Sequence, residues 1–292
     1  MRSETFSTPG TVLLDLEIPA GEIEIDTSDT DETHVELESI SGSDEFVDAA
    51  RLDVVRRGER YEVVVEVKTR HGISISLSRG PELRFGGPDV RLRISCPRGT
   101  EVDARTKSAE IRARGEYGAF EVKTASGDIQ LDEATGPTRI KSASGDFHVD
   151  RVGSSLDVQT VSGDVHAGSI AGDLHAHLVS GDMYVRDARG SISTNTVSGD
   201  QSYEAVMQGR IELKAISGDV LVGIRRGSRV FVDANTVSGS TTSELELGDA
   251  PAPSAEPGAT PQGPLVELFV KTVSGDVRIE RAPAPVELSE QS

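Results

Sequence analysis

Thr160-Val161-Ser162-Gly163-Asp164-Val165-His166-Ala167 and, 18 residues on, Leu178-Val179-Ser180-Gly181-Asp182-Met183-Tyr184-Val185 decide the fold. The tripeptide Ser-Gly-Asp also begins at Ser126, Ser144 and Ser198, so five copies stand 18 residues apart. A sixth begins at Ser217 after a step of 19. The variant Ser238-Gly239-Ser240 follows 21 later, and Ser274-Gly275-Asp276 follows 36 later, twice the period. Ser108-Ala109-Glu110, 18 before the first copy, reads as a degenerate start. A fixed period of this kind is the signature of a repeat architecture.

Each 18-mer divides again. A second set of glycines (Gly136, Gly153, Gly172, Gly190, Gly209, Gly227) punctuates the chain about every nine residues. Between these marks apolar and polar residues alternate, as in Asp164-Val165-His166-Ala167 and Asp173-Leu174-His175-Ala176. Alternation describes a β-strand with one buried face. The same inward slots hold Ile129/Leu131, Phe147/Val149, Leu156/Val158, Met183/Val185, Ile211/Leu213, Val220/Val222 and Val277/Ile279. No helical period runs through residues 106–247. The expectation is an all-β chain: a parallel β-solenoid of 18-residue coils, two short strands per coil, right-handed by the usual crossover preference. An antiparallel meander is the alternative, but the register is too regular for hairpins of independent length.

Residues 18 apart should stack as ladders about 4.8 Å apart. The residue before each turn (Ala125, Ala143, Val161, Val179, Val197, Ile216, Val237, Val273) reads as core. The residue before that is usually hydroxylic (Thr124, Ser142, Thr160, Thr196, Thr236, Thr272) and reads as outward or turn-adjacent. In the turn, glycine permits a positive φ, and Ser and Asp side chains can bond nearby backbone N–H groups.

The flanks differ from the repeat. Residues 1–105 carry strand patterns at Val12–Ile18, Glu22–Asp26, His34–Ser39, Tyr61–Lys68, Ile73–Leu77 and Val90–Ser95, with a possible helical turn at Asp44–Ala50. They read as an irregular β-region that starts the solenoid and caps its first edge. The repeats occupy 106–247. Residues 248–264 are rich in Pro, Gly and Ala and read as a flexible insertion before a final coil at 265–282. Residues 283–292 read as a disordered tail.

Composition excludes several function classes. Lys+Arg is 30 and Asp+Glu 49, a net charge of −19, which disfavours nucleic acid and anionic membrane surfaces. Aromatic residues are 4% with no Trp, leaving few stacking platforms for bases or sugars. Cys96 is the single cysteine, so no disulfide and no cysteine-based zinc site forms within one chain. The opening residues lack a basic segment followed by an apolar one, and no apolar run reaches 18 residues. The chain is expected to be cytoplasmic and not inserted in a membrane.

The segments Ser126–Ile129, Ser144–Phe147, Ser162–Val165, Ser180–Met183, Ser217–Val220 and Ser274–Val277, with the opening Pro19-Ala20-Gly21-Glu22-Ile23, resemble the DUF4097 family of bacterial β-strand-repeat proteins, whose members are called "putative adhesins". The resemblance spans essentially the whole chain. It implies a β-helix-like solenoid and supplies no catalytic residues.

Three chemistries compete with a scaffold. Asp128, Asp146, Asp164, Asp182, Asp200 and Asp219 should stack along one edge, where like charges about 5 Å apart repel by roughly 1 kcal/mol per pair. Calcium would relieve that, as in nonapeptide β-rolls; the plainer reading is that each aspartate caps its turn. His148 and His166 should be ladder neighbours on the outer face, with His175 and His177 in the following half-coil, but no spacing completes a metal shell. A β-helix carbohydrate-active enzyme needs carboxylates in a cleft, which compact coils do not build. Cys96 before Pro97 reads as a small buried hydrophobe. The sequence therefore points to a non-enzymatic scaffold or protein-interaction module without a cofactor. Its partner would be another protein or a second copy, held through a sheet face or the solenoid ends.

Overall fold

The computed structural model describes residues 1–41, 45–68, 89–245 and 263–282. The expected strand at Ile73–Leu77, nearly all of the insertion at 248–264 and the tail at 283–292 lie outside the described residues. The chain is all-β, and its repeat folds as a parallel β-solenoid. Two compact units divide it, Met1–Asp146 and Phe147–Ser292.

The first unit contains β1 (Arg2–Ser7), β2 (Thr11–Ser28), β3 (Glu32–Ser41), the single turn α1 (Glu45–Asp48), β4 (Arg51–Arg57), β5 (Arg60–Glu66), β6 (Asp89–Pro97), β7 (Thr100–Lys123), β8 (Ile129–Ala134) and β9 (Thr138–Ser144). The strands expected at Val12–Ile18 and Glu22–Asp26 are one continuous strand, β2. Its residues 13–18 pair in parallel with 101–106 of β7, and 20–26 pair with 108–114. Residues 11–28 are therefore already a coil of the solenoid. On its other side β2 pairs in parallel with β5 and β6. There the pairing changes sense: β4 meets β5, β3 meets β6 and β1 meets β3, all antiparallel. Leu14, Leu16, Ile18, Ile23 and Ile25 of β2 are fully buried, with Tyr117 and Phe120 packed edge to face at 5.6 Å.

The second unit contains β10 (Phe147–Val152), β11 (Leu156–Ser162), β12 (Val165–Ile170), β13 (Leu174–Ser180), β14 (Met183–Ala188), β15 (Ile192–Ser198), β16 (Gln201–Val206), β17 (Gly209–Ser217), β18 (Val220–Ile224), β19 (Arg229–Ser238), β20 (Thr241–Ser243), β21 (Leu265–Ser274) and β22 (Val277–Arg281). Every pairing runs in parallel to the strand one coil away: β10 with β12, β11 with β13, and so on to β16 with β18. All the inward slots named from sequence are buried. Each fully buried Val, Leu or Ile contributes about 1.5–3 kcal/mol.

The coil that comes last in sequence does not come last in space. β21 pairs with β17 on one side and β19 on the other, and β22 pairs with β18 and β20. The coil of Leu265–Arg281 is thus inserted between its two predecessors, and β19/β20 form the terminal rung. The repeat makes this possible, because any coil offers any other the same backbone register.

The two ladders beside the turn are the reverse of the sequence expectation. Val161, Val179, Val197, Ile216 and Val273 are each between 45% and 54% exposed, and Val237 is 83% exposed. Thr160, Thr196 and Thr272 are buried. The reason is parity. The inward set of β11 counts Leu156, Val158, Thr160, so Val161 falls on the outward side before the glycine resets the phase. The buried hydroxyl is satisfied locally where the chain turns: Thr160 and Thr272 donate to the carbonyls of Ser162 and Ser274, at 3.2 and 3.3 Å. Thr160 and Thr272 are tolerated inside because their bonds are made within the corner, whereas the buried Thr196 hydroxyl has no partner among the described residues.

One rung has a polar core. Gln201 fills the slot between Met183 and Val220 and is buried. Its Nε2 donates to the Lys214 carbonyl at 3.2 Å, and the Tyr203 hydroxyl donates to Thr194 Oγ1 at 2.7 Å. Burial pushes the Tyr203 hydroxyl pKa up.

Candidate functional site

The aspartate ladder is built from the turn upward. Gly145 stacks on Gly127 in the first unit, and in the second Gly181, Gly199 and Gly218 each stack on the turn glycine of the preceding coil, with the Asp carboxylate beside the next turn amide. Asp128 Oδ1 accepts from the Asp146 amide at 3.0 Å in the first unit. In the second, Asp164 accepts from Asp182 at 2.8 Å, Asp182 from Asp200 at 2.8 Å, and Asp200 from Asp219 at 2.7 Å. The column continues through the inserted coil, with Asp219 accepting from Asp276 at 2.8 Å and Asp276 from Ser240 at 2.7 Å. Asp173 does the same for Ser191 in the other half-coil, at 2.8 Å. One carboxylate oxygen per rung thus satisfies a corner amide that strand pairing leaves over.

This geometry explains the variant turn. Ser240 occupies the terminal rung, with no further described coil above it to supply an amide. Its own amide and hydroxyl both bond Asp276 Oδ1. Those bonds, the amide first, hold the Asp276 carboxyl below the usual carboxylate range.

No group of three or more His, Cys, Asp or Glu side chains among the described residues could hold a metal ion. His148 and His166 are register partners with ring centroids 6.3 Å apart, and Tyr184 continues the stack 5.9 Å from His166. His175 and His177 lie on β13, whose partners are β11 and β15, so the four histidines do not converge. Cys96 is fully buried, and burial pushes its pKa up to about 12, far from a reactive thiolate.

A capping role and a cation-binding role predict different mutants. Asp182→Asn retains an acceptor oxygen and is expected to melt within about 0.5 kcal/mol of the parent, whereas Asp182→Ala loses about 1 kcal/mol. Calcium at millimolar concentration is expected to leave the melting temperature unmoved, since only a ligand of the native state raises it. A calcium-dependent rise that disappears in Asp182→Asn would make the ladder a cation site instead.

The outer face of the first unit is charged and internally paired. Arg91 bonds Glu22 at 2.8 Å, Arg93 bonds Glu24 at 3.0 Å, and Arg105 bonds Asp15 at 3.2 Å across adjacent strands. Exposed pairs of this kind add little stability but keep a face polar.

The second unit bears the contrasting surface. Val161, Val179, Val197, Ile216, Val273 and Val237 form one column, one β-branched side chain per rung, beside the exposed serines of the turns. Single exposed apolar residues are ordinary, but an uninterrupted row is not. The sequence reading found these positions and placed them in the core. Counting the strand phase from Leu156 would have placed them outside.

The family model for Toastrack DUF4097 matches residues 14–280, nearly the whole solenoid. The chain belongs to the Toastrack DUF4097 family. Its coils are accordingly Toastrack coils, with Ser-Gly-Asp turns in both units. Among solved structures, the chain is similar to a "putative adhesin" from Bacteroides fragilis, with 14% identity, a TM-score of 0.44, and 95% of this chain and 96% of that chain covered. It is also similar to a "putative adhesin" from Parabacteroides merdae, with 11% identity, a TM-score of 0.45, and 95% of each chain covered. A third is a "putative cell adhesion protein" from Clostridium sporogenes, with 10% identity, a TM-score of 0.26, and 96% of this chain and 99% of that chain covered. No curated protein matches the chain. No described helix is long and apolar enough to cross a membrane.

Proposed function

We propose that this Toastrack protein is a non-enzymatic interaction module whose apolar column binds a protein partner. The observation behind the reading is the row Val161, Val179, Val197, Ile216 and Val273, half exposed at every rung. Water contact with such a row is unfavourable, and covering it recovers the apolar area. The rungs are held in register by parallel pairing, so a partner that fits them has little backbone left to order on binding. A net charge of −19 favours a partner with a basic rim over nucleic acid or an anionic lipid surface. The adhesin label of the similar structures is of the same kind, taken here only as binding to another macromolecule.

The test is a triple variant, Val179→Lys, Val197→Lys and Ile216→Lys. Because the three side chains lie on the outer side of the rungs, the β-sheet circular dichroism signal should persist. Capture of partners from a cell extract should weaken by about tenfold or more, since the column would be the apolar centre of the interface. Equal enrichment of the same proteins by parent and variant would remove the column from the function.

A further inference from the structure

We propose that the terminal strand β19 is a self-recognition edge on which two copies of this chain pair antiparallel about a twofold axis at Phe231. This inference uses a different surface from the apolar column and stands without it.

Among the described strands β19 pairs only with β21, which leaves ten residues, Arg229–Ser238, with one open backbone edge. The edge is not protected in the usual ways. It is long, has no proline, and exposes Phe231 (55%), Val232 (37%) and Val237 (83%). Among the described strands β4 likewise pairs only with β5, but it sets Arg51, Asp53, Arg56 and Arg57 around its exposed Val54 and Val55.

The strand's own sequence selects the partner. The Arg229 amide bonds the Pro264 carbonyl, so over residues 229–233 the odd-numbered residues direct their backbone groups toward β21 and the even-numbered ones toward the open edge; the phase reverses only at the corner, where the Ser238 carbonyl accepts from Gly275. An antiparallel partner must therefore pair even residues with even. With the axis at Phe231, Val230 meets Val232 of the second copy in a hydrogen-bonded pair. Phe231 then meets its own counterpart in a non-hydrogen-bonded pair, where side chains approach more closely. Arg229 lies opposite Asp233. The segment Arg-Val-Phe-Val-Asp is thus charge-complementary to itself when reversed: an aromatic pair flanked on both sides by opposite charges. The Arg229 Nε is buried without an acceptor among the described residues, and the second copy would bring a carboxylate beside it. Phe231 also continues an existing column, 5.9 Å from Phe269, itself 4.6 Å beneath the Arg210 guanidinium.

A head-to-tail filament fits less well. An incoming coil in the solenoid register would seek a carboxylate for its turn amide. The terminal turn offers Ser240, whose hydroxyl already bonds Asp276. A twofold contact uses the same patch on both copies and closes at two.

The experiment is sedimentation velocity on the full chain over a hundredfold concentration range, with charge reversals. The parent is expected to pass from one chain mass to two. Arg229→Asp and Asp233→Arg, each placing like charges opposite one another, are expected to weaken dimerisation by about tenfold or more while keeping the parent's β-sheet circular dichroism spectrum. The double variant Arg229→Asp/Asp233→Arg restores opposite charges and is expected to dimerise like the parent. Phe231→Glu is expected to remain monomeric. A parent that stays monomeric throughout, a species that grows beyond two, or a dimer unaffected by either reversal would each overturn the proposal. Failure of the double variant to recover would overturn the register.

Discussion

Gly199→Ala is expected to cost about 3 kcal/mol, measured as a fall in the urea midpoint. Gly199 has φ +136°, a region that L side chains rarely enter. A Cβ there would stand 2.1 Å from the Gly181 carbonyl oxygen, far inside contact distance. Neither partner can yield freely, because Gly181 rests in the same way on Gly163 and Gly218 on Gly199. The column of glycines therefore sets the closest approach of successive coils at this corner. Gly227→Ala separates the two contributions. Gly227 also has positive φ (+86°), but its Cβ would meet nothing within 4 Å, so only the backbone strain of about 1 kcal/mol is expected. If the two alanine variants lose equal stability, glycine is needed for its φ alone and the stacking argument fails.

Leu174→Ala is expected to cost a similar amount, about 3 kcal/mol, while Val179→Ala, five residues along the same strand, changes stability by no more than about 0.5 kcal/mol. Leu174 is fully buried between its register partners Leu156 and Ile192, in a core whose rungs cannot collapse individually. Removing its side chain leaves a cavity as well as losing the transfer free energy. Val179 is 48% exposed on the outer side of the corner. A large loss in Val179→Ala would return the pre-turn ladder to the core, as the sequence first suggested. It would also remove the surface proposed for partner binding.

Much of the molecule was legible in the residues. The 18-residue period, the alternating strands between glycines and the choice of Asp after each turn glycine all follow from one rule. When coils stack in parallel, every position repeats its environment, so every position repeats its chemistry. The sequence expectation for this ladder was an aspartate capping its own turn; the carboxylates of Asp128, Asp164, Asp182, Asp200 and Asp219 instead accept from the turn amide of the neighbouring coil. The coil at residues 11–28 was less visible, because Gly21 does not sit in a Ser-Gly-Asp and the register partners at 108–114 lie nearly 90 residues away.

Two features needed the tertiary structure, each for a physical reason. Which residues face the core depends on strand phase, and a corner shifts that phase. At Thr160 and Val161 side-chain polarity argues one way and geometry the other, and geometry wins because the threonine hydroxyl finds its acceptor within the turn. The order of the coils depends on which edges meet. Identical registers make several orders chemically equivalent, so sequence alone determined what a coil is, whereas three-dimensional pairing decided that Leu265–Arg281 lies between its predecessors and that Arg229–Ser238 is left at the open end.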